Sequence, residues 1–354
     1  MAAAAETAEG MFASRAGRAL VFAYSFTACL TAAGVLAITL LGRPHGPSIT
    51  LDLSGAAVPK ARPALAPAMA SSSSDGPVLG PVTKPIYAGK ALVADPALVE
   101  NAAEGPLPRI ADDGRKPMTA YAAPAAVAGK KFKIAIVVDG LGMSAAATKA
   151  ALAALPAAVT LGFEPYAGDV SQWVGEARAR GHEVLLEIPM EPFDFPDSDP
   201  GPHTLRAGQD QDANIQRLKW ALGRFTGYAG VSNLLGQRFL SDADALSPVL
   251  TSLNRRGLYF FDNGAASQSV MPTLASQLGM PAVESGPAVD TIQTALEIDH
   301  RLSDLETQAR ANGSAVGSAF LYPVSIARIA EWARGLESRG FVLVPVSAIV
   351  TQSK

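Results

Sequence analysis

Acidic side chains stand directly after short apolar runs at several points in this sequence. Asp139 ends one run, Glu191 follows a second just before Pro192, and Asp262 ends a third. Converging carboxylates can carry out general acid–base chemistry when their surroundings raise the pKa of one of them. A carboxylate at the end of a buried strand is also costly unless it has a task or a partner. Asp139, Glu191 and Asp262 are therefore the candidate catalytic residues.

Other polar residues at or just beyond predicted strand ends are candidates for binding a ligand: Glu187, Asn233, Arg238, Asp290 and His203. Groups of this kind hydrogen-bond hydroxyl groups such as those of sugars, and Tyr166, Trp173 or Tyr322 would supply a ring for stacking. An open alternative is that several of the acidic residues cap helices or pair with Arg238. A Ser/His/Asp triad has little support, because no elbow motif surrounds Ser144, Ser232 or Ser269.

The four histidines argue against a metal centre. His45 lies in a proline-rich segment, His300 lies in a predicted helix, and His182 precedes a strand as a predicted surface or cap residue. Only His203, in a predicted loop beyond a strand end, is placed for a site. Zinc sites commonly use three or four protein ligands that include nitrogen or sulfur donors. The sequence therefore predicts no metal ligands and no cofactor.

Short β-branched runs alternate with longer amphipathic stretches from residue 131 onward, which predicts parallel strands with helices outside them. About seven or eight such units fit a β/α barrel, and an open doubly wound sheet is the alternative. Asp139-Gly140-Leu141-Gly142 lacks the third glycine of a dinucleotide-binding fingerprint. The predicted strands cover residues 134–138, 158–163, 183–188, 229–232, 258–261, 281–284, 314–319 and 341–346.

The segment before the barrel predicts a membrane-tethered protein. Residues 19–41 carry no charge and exceed the about 20 residues that span a bilayer. The arginines before this segment indicate that residues 1–18 form a cytoplasmic tail. The part of the chain after the segment is therefore predicted on the periplasmic side of the inner membrane. A cleaved signal peptide is the alternative. Residues 42–94, rich in Pro, Ala and Ser, predict a disordered linker, and residues 95–130 predict an extended arm or, alternatively, more linker.

Composition excludes some classes of partner. The formal net charge is −3 and no basic run occurs, so we predict no nucleic-acid binding. Cys29 is the only cysteine in the sequence, which leaves no disulfide within the chain.

Residues 131–350 resemble the divergent polysaccharide deacetylases, distant relatives of carbohydrate deacetylases with a distorted β/α barrel. The motifs that carry the resemblance are Ile134–Gly142, Val159-Thr160-Leu161 with Pro165-Tyr166, Met190-Glu191-Pro192, Asp199-Pro200-Gly201-Pro202, Gly230-Val231-Ser232-Asn233 and Leu343–Ser347. The resemblance implies a zinc-dependent site with one Asp and two His ligands and a second Asp as base. It also implies action on carbohydrate.

Matching the family pattern places Asp139 at the first of two consecutive aspartates, the position of the base. The three expected metal-ligand positions are occupied by Gly140, Leu234 and Phe320. We therefore predict a degenerate barrel directed at cell-envelope carbohydrate, with an envelope glycan or an envelope protein as its partner. The alternatives are an active hydrolase with a rebuilt site and a non-catalytic envelope scaffold. We also expect the candidate residues to gather on one rim of the barrel, around those three positions.

Overall fold

The computed structural model describes residues 95–125, 129 and 131–350, all of which belong to one compact unit. The predicted cytoplasmic tail, membrane anchor and linker lie outside the described residues. Within the described ranges, no helix combines the length and hydropathy that a membrane span requires.

Strands and helices alternate through most of the described chain. The strands are β1 (Val99–Ala102), β2 (Gly105–Pro108), β3 (Phe132–Leu141), β4 (Thr160–Phe163), β5 (Val184–Met190), β6 (Gly230–Leu235), β7 (Tyr259–Asp262), β8 (Ala282–Glu284), β9 (Ser314–Phe320) and β10 (Phe341–Leu343). The helices are α1 (Pro117–Ala120), α2 (Ala145–Ala154), α3 (Val170–Ala179), α4 (Gln211–Leu222), α5 (Gln237–Leu240), α6 (Ala243–Arg255), α7 (Met271–Gln277), α8 (Ala295–Asn312) and α9 (Pro323–Arg334).

Seven parallel strands form a nearly closed barrel in the order β9-β3-β4-β5-β6-β7-β8. In the described residues β8 and β9 do not pair, but the Val289 N–H donates to the Ser318 carbonyl at 2.9 Å across this seam. Strand β10 pairs with the amino-terminal end of β3. This topology confirms the predicted parallel β/α barrel over the open doubly wound sheet.

The strands alternate between two buried faces, as the two-residue period of a strand requires. Ile136, Val138 and Phe260 belong to the outer apolar layer that packs under the helices. Val137 and Phe261 belong to the cluster inside the barrel. This alternation decides which polar groups at the strand ends face the interior.

Residues 95–125 close the amino-terminal end of the barrel. Leu98, Met118 and Tyr121 join the inner apolar cluster, and the Ala123 N–H donates to the buried Glu183 carboxylate at 3.0 Å. Glu183 also accepts the Tyr259 hydroxyl at 2.9 Å and the backbone N–H of Ser347 at 3.0 Å. One internal carboxylate thus holds the arm, the barrel and the carboxyl-terminal segment together.

His182 lies at this same end, where it was predicted as a surface or cap residue. That prediction is wrong, because the side chain is buried. Its Nδ1 lies 2.9 Å from the Val159 carbonyl oxygen, and burial lowers its pKa to about 4. The neutral imidazole thus links the residues just before β5 to the residue just before β4.

Candidate functional site

The carboxyl ends of the barrel strands enclose a buried polar group centred on Asp139. The pairing of β3 with β4 shifts register between Val138 and Leu141, a bulge of the kind that redirects a side chain. The hydroxyl of Ser232 donates to Asp139 Oδ1 at 3.2 Å, and the amide of Asn263 donates to Oδ2 at 3.2 Å. The carboxyl group of Asp139 on β3 is therefore fixed inside the barrel by one residue of β6 and by the residue that follows β7.

Glu187 on β5 lies beside Asp139 and is also fully buried. The Gly140 N–H donates to Glu187 Oε1 at 2.6 Å, whereas Oε2 has no partner among the described residues. Gly162 on β4 leaves room for both acids. A Cβ at residue 162 would lie 2.1 Å from Asp139 Oδ1 and 3.2 Å from Glu187 Oε1.

Burial makes both members of this pair hard to ionise. It raises the pKa of Asp139 to about 7 despite the hydrogen bonds from Asn263 and Ser232, which lower it. Burial also raises the pKa of Glu187 well above its usual value, and the charge of Asp139 raises it further. The pair therefore keeps a proton under conditions in which an exposed carboxyl group has lost it.

Two asparagines complete the polar group. The Asn263 N–H donates to Asn233 Oδ1 at 3.0 Å, and Asn233 Nδ2 donates to the Leu235 carbonyl at 2.7 Å. Leu235 has a φ of +57°, which is uncommon for a side chain of this size. Asn263 was not predicted from the sequence, although it lies two residues after the inward Phe261 and therefore on the same face.

Asp262 reaches the same edge of the barrel but not this internal group. Its Oδ2 accepts the Ser269 hydroxyl at 2.6 Å and its Oδ1 accepts the Gly264 N–H at 3.1 Å. Burial raises the pKa of Asp262. Because Asp262 follows the inward Phe261 by one residue, its side chain belongs to the outer face, where it fixes the turn after β7.

Two further predicted acids lie in the loops of this end, apart from the central pair. Glu191 is buried and its Oε1 pairs at 3.3 Å with Arg238, whose side chain is 52% exposed. Asp290 Oδ2 accepts the Phe320 N–H at 2.8 Å and the Ser325 hydroxyl at 2.6 Å. Burial raises the pKa of Asp290. In the described residues, Glu191 Oε2 and Asp290 Oδ1 remain buried without a partner.

His203 belongs to an aromatic cluster rather than to the acidic group. Its ring stacks on Trp220 with 3.6 Å between centroids and 8° between planes. Its backbone N–H donates to the Tyr166 hydroxyl at 3.0 Å, and partial burial lowers the pKa of its imidazole. These contacts use His203 as a packing residue of the loop after β5.

The three positions expected to hold a metal do not supply metal ligands. Gly140 has a φ of +90°, a conformation that favours glycine over aspartate. Phe320 is the register partner of Asp139, and Leu234 that of Pro189. Among the described residues no group of three His, Cys, Asp or Glu side chains is arranged to hold a metal ion. The donor set therefore does not fit the zinc centre that the resemblance implies.

The fold and site define a class: a parallel β/α barrel with its polar centre at the carboxyl ends of the strands. Residues 136–350 match the family model described as divergent polysaccharide deacetylase. The match covers more than half of the chain, and the chain belongs to that family.

Three similar proteins are described as uncharacterized. The chain is 24% identical to the uncharacterized protein YibQ of Escherichia coli K12 over 194 residues, which is 55% of this chain and only 60% of YibQ. It is 24% identical to an uncharacterized protein of Haemophilus influenzae over 204 residues, 58% of this chain and 72% of that one. The crystal structure of the uncharacterized protein ATU2773 from Agrobacterium tumefaciens C58 is 41% identical, with a TM-score of 0.68, covering 70% of this chain and all of that one.

Proposed function

We propose that this chain is a membrane-anchored, polysaccharide deacetylase-like protein directed at cell-envelope carbohydrate, and that it binds rather than deacetylates its glycan. Family membership supports the carbohydrate assignment. The uncharged segment 19–41 supports the anchor. Loss of turnover rests on the residues that replace the expected metal ligands.

Gly140 carries this proposal. Where the family pattern expects an oxygen ligand, residue 140 presents a backbone N–H, which donates to Glu187 at 2.6 Å. The left-handed backbone of Gly140 is one that glycine adopts without steric cost. Its neighbour Asp139 is occupied by two donors and holds a proton up to about neutral pH. A pKa near neutrality would by itself suit a general base, so the loss of turnover rests on the missing metal ligands.

Glycan contact would fall to the groups that reach solvent at this end of the barrel. Arg238 is half exposed and offers guanidinium donors beside Glu191. Tyr322 is 37% exposed and Phe193 is 66% exposed. Donors combined with exposed rings suit a polyhydroxylated ligand, because hydroxyl groups need hydrogen-bond partners while the sugar faces pack on rings.

Metal analysis of the purified full chain, combined with a glycan-binding screen, tests the proposal. We expect less than stoichiometric zinc and an unchanged melting temperature on adding EDTA, because no metal-binding free energy contributes to folding. We also expect binding to an envelope glycan that Arg238→Ala weakens and Arg334→Ala, a change at another exposed arginine, does not.

Other results would favour the alternatives. Stoichiometric zinc and a chelator-induced drop in melting temperature would restore the active deacetylase. Acetate release that Asp139→Asn abolishes would indicate a rebuilt hydrolytic site. The absence of both glycan binding and turnover would leave the envelope scaffold. A mature amino terminus after residue 41 would replace the membrane anchor by a cleaved signal peptide.

A further inference from the structure

Several carboxyl groups at the carboxyl ends of the strands lie close enough to act on one another electrostatically. They belong to Asp139, Glu164, Glu187 and Asp290, which we call the mouth acids. The charges of Asp290 and Glu164 act on Asp139. Glu187 responds to the charges of Asp139 and Glu164. Because like charges at short range disfavour one another's ionised forms, a ligand that brings positive charge to this group is stabilised by it.

Glu164 is the mouth acid that a ligand can reach. It is the first residue after β4 and is half-buried, whereas the other three are buried. Its backbone N–H donates to the Leu141 carbonyl at 3.0 Å, which holds its loop against the end of β3. Among the described residues its carboxylate has neither a hydrogen bond nor an ion pair. Glu164 was not among the site residues predicted from the sequence.

No basic side chain neutralises the mouth acids. In the part of the chain that the structure describes, none of the four forms an ion pair with Lys, Arg or His. Arg238, half exposed at the same end of the barrel, pairs with Glu191 instead. A positive charge from outside the chain therefore has no internal competitor at the mouth acids.

The buried mouth acids also keep hydrogen-bond acceptors without partners. Within the described ranges, Glu187 Oε2 and Asp290 Oδ1 accept no hydrogen bond, although these residues are only 0% and 2% exposed. Asp290 is tied to the polar centre, because its Oδ2 accepts the Phe320 N–H at 2.8 Å and Phe320 is the register partner of Asp139. Buried acceptors left unpaired cost free energy, so what the site lacks is hydrogen-bond donors.

A protonated amine meets both requirements better than a metal ion does. Among the described residues no three His, Cys, Asp or Glu side chains are arranged to hold a metal. An ammonium group carries three N–H donors and no acceptor, and its hydrogen bonds to carboxylates are charge-assisted. Tyr322, which is 37% exposed and whose ring centroid lies 6.1 Å from that of Phe320, offers a ring that attracts the same cation.

We propose that the mouth acids recognise the protonated primary amine of an amino sugar, with Glu164 as the carboxylate that contacts it. This inference rests on the proposed glycan binding and narrows it to glycans that carry free amino groups. The ammonium group donates to Glu164 at the surface, and its charge stabilises the buried acids around it. An N-acetylated sugar presents a neutral amide at the same position and gains neither interaction.

Isothermal titration of the purified full chain tests this inference. The probes are an oligosaccharide of glucosamine and its N-acetylated counterpart of the same length, at a pH at which the amine is protonated. We expect the glucosamine oligosaccharide to bind more tightly. Glu164→Gln should fold, since its carboxylate has no partner to lose, and should lower that preference about tenfold, the loss of one charge-assisted hydrogen bond. Glu104→Gln is the matched control, because Glu104 is also half-buried but lies between β1 and β2 at the opposite end.

The outcomes separate this inference from the proposed function. Equal binding of the two oligosaccharides, or tighter binding of the N-acetylated one, would overturn the inference and leave glycan binding in place. Failure of both to bind would contradict the proposed function and this inference together. A preference that Glu164→Gln does not change, or that Glu104→Gln lowers equally, would overturn the role of Glu164. Binding of an oligolysine without binding of the glucosamine oligosaccharide would assign the site to a cationic protein and overturn the amino-sugar assignment.

Discussion

Replacing Asp139 by Asn should flatten the dependence of stability on pH. Asparagine has nearly the same shape as the protonated acid but cannot ionise. Its carbonyl can keep the hydrogen bond from Asn263, while its amide nitrogen can donate to Ser232, whose hydroxyl oxygen also accepts. We therefore expect the variant to fold and to lose little stability at acidic pH.

The sign of the effect follows from proton binding in the two states. An exposed aspartate in the unfolded chain ionises near pH 3.8, whereas burial raises the pKa of Asp139 to about 7 in the folded protein. The folded state therefore retains a proton that the unfolded state has released between these values, and stability falls as the pH rises through this window. Full ionisation of the folded group corresponds to about 4 kcal/mol. Glu187, whose pKa burial also raises, adds a loss of the same sign.

Thermal unfolding of both proteins from pH 4 to pH 8 measures this difference. A loss of about 4 kcal/mol corresponds to roughly 10 °C for a domain of this size. The melting temperature of the unchanged chain should fall by that amount relative to Asp139→Asn. Asp169→Asn, at an exposed helix cap without a side-chain capping bond, should follow the unchanged chain. Parallel curves for the unchanged chain and Asp139→Asn would refute the assignment of a buried neutral Asp139.

Two further substitutions test the packing around these acids. Gly162→Ala should destabilise the fold by at least about 2 kcal/mol in chemical denaturation, because its Cβ would lie 2.1 Å from Asp139 Oδ1. In a double-mutant cycle, Asp139→Ala should reduce the cost of Gly162→Ala. Gly168→Ala is the control and should be nearly neutral, because there is open space around Gly168. Equal costs at the two glycines would contradict this prediction. Glu183→Gln should lower the free energy of unfolding by about 1–3 kcal/mol, because an amide nitrogen would face a backbone N–H. It should also expose residues 121–125 to protease. Resistance of this segment to protease in the variant would contradict the prediction.

The sequence pattern was sufficient for the barrel but not for the orientation of each strand end. Alternating apolar segments predicted the parallel strands, and their carboxyl ends were where polar residues were expected. The predicted strand 258–261 left Asp262 as the first residue beyond it, whereas β7 includes Asp262. A one-residue difference in a strand moves a side chain to the opposite face. Asn263 therefore joins Asp139 inside the barrel, and Asp262 does not.

Burial inside the barrel was also difficult to predict from residue type. His182 and Glu183 immediately precede β5. His182 was predicted as a surface or cap residue, yet both side chains are buried. Their partners come from segments distant in sequence, including Ala123 and Ser347 for Glu183. Local propensity contains no information about such contacts, because they depend on how the arm and the carboxyl-terminal segment meet the barrel.

The electrostatics of the polar centre connect the missing ligands to the retained acids. A cation next to a buried carboxylate favours its ionised form. Around Asp139 and Glu187 the donors are neutral amide, hydroxyl and backbone groups, and the neighbouring charges that act on Asp139, those of Asp290 and Glu164, are negative. The pair can therefore remain buried because it holds a proton. Gly140, Gly162 and Asn263 fit this neutral pair closely, so the two acids link the strand ends at the mouth of the barrel. Under the proposed function, ligand recognition falls to the exposed groups around them.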